Sequence, residues 1–121
     1  MNFALFLAAA LAGLWAAVHA VMGGRECAKP LSTDEHVLPI VRETMLLCWH
    51  LVTGFLVLTS LFLFFGALGN EGLGAAGTAM AGCVAVIGLL IVPIRKNSYA
   101  KLPQGWLFVP VAFLGLWGLM G

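Results

Sequence analysis

Four long apolar runs separated by short polar stretches dominate this chain. They cover residues 2–22, 40–66, 73–94 and 103–120. A helix needs about 20 apolar residues to cross the roughly 30 Å hydrocarbon core of a bilayer, so the first three runs suffice and the fourth is short. Pro103 suits the first turn of that last helix, where its missing N–H costs nothing. The runs predict an all-α membrane protein: one domain over residues 1–121, folded as an antiparallel bundle of four transmembrane helices.

Composition supports this. The chain is 62% hydrophobic and 9% charged, against about 45–50% and about 25% in soluble domains. Too few polar side chains are present to cover a water-facing surface. A net charge of +1 also leaves no electrostatic footprint for nucleic acid, and the apolar content excludes a disordered chain.

The first run has a rival reading as a secretory signal peptide, because Val18-His19-Ala20 places small residues where a cleavage site would want them. The stretch Met1-Asn2-Phe3 lacks the Lys or Arg such peptides carry, so a retained helix is expected. All six basic residues, Arg25, Lys29, Arg42, Arg95, Lys96 and Lys101, then fall in or beside the loops 23–39 and 95–104. The positive-inside rule places those loops in the cytoplasm and both termini outside, in the manner of a multi-pass bacterial inner-membrane protein.

Small residues recur every fourth position on the third run, as Gly74, Thr78 and Gly82 and as Gly77, Ala81 and Ala85. That spacing lets helix backbones approach closely in lipid. Ala9, Gly13, Ala16 and Ala20 give the first run a similar strip. Helix packing is the expected role, with a homo-oligomer or a larger membrane complex as partners beyond the lipid itself. Ser32 and Glu35 fit a capping box, which predicts a helix start there, with Pro39 kinking it or separating a surface turn from the span.

The polar side chains point to one face. All three histidines and every acidic residue except Glu71 lie on the expected cytoplasmic side. His36, Glu43 and His50 are seven apart and return to nearly the same face of a helix, drifting about 20° each time. Ionisable groups within spans are functional candidates by default. Glu43 and His50 would lie about 10 Å apart along the axis, too far to hold one metal at about 2.0–2.3 Å. HExxH, ExxH and CxxC motifs are missing, so a zinc hydrolase or di-iron oxygenase is poorly supported.

A site shared between helices passes that test. His19 is six residues, about 9 Å, inside Arg25, and His50 is eight, about 12 Å, inside Arg42. The two imidazoles would then sit at similar depth on adjacent helices. A ligand site of His19, Glu43 and His50, with Arg42 beside it, is therefore expected to face the cytoplasm. Haem between two histidines, a quinone, or a metal ion held by His19, His50 and Cys27 would each suit it. A hydrogen bond that only ties two helices, an accessory subunit without chemistry and a proton-coupled transporter are the rivals. Cys27, Cys48 and Cys83 are odd in number and imply no disulfide framework. Trp15 and Trp49 flank the histidine region, and the stretch from His19 through Gly23-Gly24-Arg25 to Trp49-His50 has the character of a signature.

In size and span count the chain is similar to the small multidrug transporters. It departs from them in having no glutamate in the first span, and its six-to-zero charge split opposes dual topology.

Overall fold

The computed structural model describes residues 1–121 and contains only helices and turns. Helix α1 runs continuously over Phe3–Ser32, α2 over Pro39–Ala67, α3 over Glu71–Ile94 and α4 over Gln104–Met120. Three of the four are long and apolar enough to cross a membrane; α4, at 17 residues, is shorter.

Each start has a local cause. The Asn2 side chain accepts from the Leu5 N–H at 3.1 Å, and Asn70 accepts from Leu73 in the same way, satisfying amide donors that a helix start leaves free. Glu71 adds an acidic group to the first turn of α3, where the helix dipole favours it. Pro39 opens α2 as its first residue, so it neither kinks nor interrupts the helix. Leu38 before it is extended, at ψ 134°, as the residue preceding proline prefers. The expected start at Ser32 is thereby displaced: Ser32 ends α1, and its hydroxyl donates to the Lys29 carbonyl at 2.7 Å.

The larger departure lies within α1. The expected span 2–22 ends at Gly23-Gly24, yet the helix continues ten residues past Met22. It does so by widening: Phe3–Val18 is α-helical, His19–Ala28 is π-helical, and Lys29–Ser32 returns to α geometry. Hydrogen bonds in a π-helix reach five residues instead of four, a rare arrangement that is frequent at functional sites. What the sequence suggests is a long loop shrinks to residues 33–38, and Arg25 and Lys29 ride on helix.

The helices close a ring in which α1 packs on α2 and α4, and α3 packs on the same two. At one end the Asn2 amide donates to the Ala67 carbonyl at 2.8 Å and its side chain to the Gly118 carbonyl at 2.5 Å. Successive helices therefore run antiparallel. Residues 1–2, the 68–70 turn and the end of α4 share one end of the bundle, with the 33–38 and 95–103 connections at the other.

Small residues make the crossings close. A Cβ on Gly66 would fall 2.4 Å from the Gly74 Cα, and one on Gly88 would fall 2.5 Å from the Gly105 Cα. Gly115 seats the Thr78 side chain, and Gly118 seats Leu5. On α3, Gly74, Gly77, Thr78, Ala81 and Ala85 are buried. Gly82, expected in that strip, faces open space within 4 Å. Two polar ties join α1 to its neighbours: Trp15 Nε1 donates to the Leu107 carbonyl at 3.0 Å, and the Ser60 hydroxyl donates to the Ala9 carbonyl at 2.9 Å.

Only 21 of 121 residues are buried, most of them alanine or glycine. The large apolar side chains point outward instead, among them Leu51, Ile87, Phe113 and Leu116. The bundle is small-residue inside and bulky-apolar outside, the reverse of a water-soluble one.

Candidate functional site

His19 opens the widened stretch of α1. Its imidazole lies flat against the indole of Trp49 on α2, 3.9 Å between centroids and 16° from parallel. The indole fits because Gly23, one turn on from His19, carries no side chain. A Cβ there would fall 2.5 Å from Trp49 Cη2. His19, Gly23 and Trp49 thus form one unit in which a ring of α2 covers both the imidazole and the glycine of α1.

The Nε2 atom of His19 is buried and has no hydrogen-bond partner. A buried polar atom left unpaired costs about 1–3 kcal/mol and in native structures calls for an explanation. His19 also lines a cleft of about 270 Å³ between α1 and the first half of α2. Cys27, Ala28 and Leu31 line it from α1, and Met45, Cys48 and Val52 from α2, together with His19 and Trp49. Met45, Cys48, Trp49 and Val52 follow the three- and four-residue spacing of one helical face.

The other expected site residues lie elsewhere. Glu43 is exposed, and its carboxylate accepts from Arg42 Nε at 3.4 Å. A surface pair of this kind is worth about 0–1 kcal/mol. The Arg42 guanidinium also donates to the Asp34 carbonyl at 3.0 Å, which ties the 33–38 connection to α2. His50 is exposed and does not line the cleft. His36 is exposed, with its backbone N–H and Nδ1 turned to the Asp34 carboxylate at 2.8 and 3.3 Å. The structure therefore does not draw His19, Glu43 and His50 into one cavity. His19 meets α2 through Trp49, the neighbour of His50.

Cys27 does reach the cleft that His19 lines, but no three His, Cys, Asp or Glu side chains gather anywhere as a metal-holding group. A haem between two imidazoles needs a ring nitrogen from each on the iron. Here His50 stands outside the cleft that His19 lines. Sequence reasoning passed over Gly23 as a seat, and over Met45 and Cys48 as lining. The stripe Met45-Cys48-Trp49-Val52, read against His19, was the signal that could have found them.

No protein family, no curated protein and no solved structure matches the chain.

Proposed function

We propose that this chain is a small integral membrane protein that binds a small ligand in the α1–α2 cleft, through His19. The observation that carries the reading is the buried, unpartnered Nε2 of His19 at the edge of an apolar cavity. A histidine kept only to join two helices would spend that nitrogen on a neighbour; this one stacks its ring and leaves the nitrogen free. A bilayer setting is supported by three helices of spanning length and by the outward bulky apolar surface.

The short fourth helix completes the antiparallel ring, so a four-span arrangement is part of the proposal. The charge distribution supports orientation with the 33–38 and 95–103 connections in the cytoplasm. A transporter reading draws no support from Glu43, which is exposed and paired with Arg42.

The test is to purify the protein in lipid-retaining particles and extract the small molecules for mass spectrometry, comparing wild type with His19→Phe. Phenylalanine keeps a flat ring against Trp49 and removes the free nitrogen. A stoichiometric small molecule from wild type, reduced at least tenfold in a His19→Phe protein that still folds, supports the reading. Equal yields from both proteins, or no molecule from wild type, sink it.

A further inference from the structure

We propose that the outward face of α2 is a dimer interface, on which a second copy of this chain docks in the same orientation so that the His50 side chains of the two copies meet. The inference rests on the bilayer setting proposed above and is independent of the cleft.

His50 lies three residues, about 4.5 Å along the axis, from Thr53, the middle residue of the 29-residue α2. A bilayer's hydrocarbon core reaches about 15 Å to either side of its centre, so a span formed by α2 carries His50 deep inside it. The side chain is exposed and makes no hydrogen bond within the chain. The Thr53 hydroxyl, three residues on, donates to the Trp49 carbonyl instead. Ionisable groups at such depth almost always face protein or water and pair with one another or with backbone carbonyls. The bundle itself gives His50 no such partner.

The face that carries it is regular. Glu43, Leu47, His50, Gly54, Val57 and Leu61 are alternately four and three residues apart, and all are exposed. That is the repeat along which two helices pack as a left-handed pair. The buried residues Leu56, Thr59 and Leu63 lie on the opposite side of α2. Gly54, one turn on from His50, has nothing within 4 Å of its missing side chain. A second helix can therefore come close beside the imidazole.

Symmetry selects the occupant. Copies of one chain share the orientation that the basic connections set. They pair in parallel, and equivalent residues face each other at one depth across a two-fold axis. A neutral imidazole has one donor and one acceptor nitrogen, so His50 is its own complement. Outward residues near the middles of the other helices, such as Leu14, Cys83 and Phe113, are apolar or thiol. Docking on those would leave His50 unpaired.

The test combines cross-linking with affinity. Full-length protein carrying Cys27→Ala, Cys48→Ala and Cys83→Ala receives single cysteines in turn and is oxidised in the membranes of expressing cells. Leu47→Cys, Gly54→Cys, Val57→Cys and Leu61→Cys should give covalent dimers, and Leu51→Cys and Val86→Cys should not. Energy transfer between labelled copies in liposomes, diluted with lipid, then gives the dimer affinity. His50→Leu should weaken it about three- to thirtyfold, the range of hydrogen bonds between membrane helices. His50→Asn, whose amide also donates and accepts, should retain the dimer. Tryptophan near-ultraviolet dichroism should be the same for all three proteins, because His50 holds nothing within its own chain.

An absence of dimers, or cross-links that favour Leu51→Cys or Val86→Cys, overturns the interface; lipid or a different protein then covers the face. A dimer as tight with leucine as with histidine overturns the pairing. Recovery of the chain in the soluble fraction of the same cells would instead strike the bilayer setting.

Discussion

The imidazole of His19 and the indole of Trp49 stand parallel, 3.9 Å apart at their centroids, one from each of the first two helices. Gly23 makes the contact possible and Nε2 remains unspent. Joining the helices takes only the faces of these rings.

Gly23→Ala is expected to force Trp49 away from His19, since the new methyl would lie 2.5 Å from Cη2. Overpacking of this kind costs about 1–3 kcal/mol. Gly24→Ala meets nothing within 4 Å, and alanine gains up to about 1 kcal/mol over glycine in a helix. Opposite shifts in thermal midpoint for adjacent glycines, with Trp near-ultraviolet dichroism changed only by Gly23→Ala, are the measurement. Equal behaviour would remove the seat.

Gly66→Ala is expected to open the α2–α3 crossing, because backbone rather than a flexible side chain stands 2.4 Å from the new atom. A loss of about 1–3 kcal/mol is anticipated, read by denaturant titration in mild detergent. Gly82→Ala, with open space around it, should leave stability unchanged or raise it by up to about 1 kcal/mol.

The Tyr99 hydroxyl donates to the Leu89 carbonyl at 2.7 Å. Leu89 lies four residues before Pro93, whose missing N–H would have served that carbonyl. Tyr99→Phe should therefore cost about 0.5–1.5 kcal/mol. Pro93→Ala restores an amide donor, so the Tyr99→Phe cost should shrink in the double variant. A double-mutant cycle of unfolding free energies reads the coupling; strict additivity would refute it.

Lys96 holds φ at +54° just past the end of α3, the one residue other than glycine in that region. Left-handed backbone costs a side-chain-bearing residue about 1–2 kcal/mol. Lys96→Gly is expected to raise the thermal midpoint, and Lys96→Val to lower it.

The four helices were legible because long apolar runs leave the chain few alternatives, and the Asn2 and Asn70 side chains cap the starts of α1 and α3. Two features were not. Gly23-Gly24 reads as a helix end by propensity, yet a widened helix accommodates the pair and Trp49 occupies the space beside Gly23. Ser32 and Glu35 form a capping pattern, but Pro39 decides where α2 begins by fixing its own φ and extending Leu38. At the candidate site, sequence spacing singled out His19 as an ionisable group within an apolar run. It weighted Glu43 and His50 because polar residues stand out on an apolar helix. The residue opposite His19 is aromatic, and one aromatic among many carries little signal until its neighbour is known.

The widened stretch His19–Ala28 has a further consequence. Each of its hydrogen bonds takes in one residue more than those on either side, so the chain leaves it out of phase with the helix that entered it. Cys27, Ala28 and Leu31 owe their position on the cleft to that phase lag. The composition of the wall is thus set by a count of residues as much as by their identity: dropping a single residue from the stretch would rotate a different set of side chains toward His19 without changing any of them.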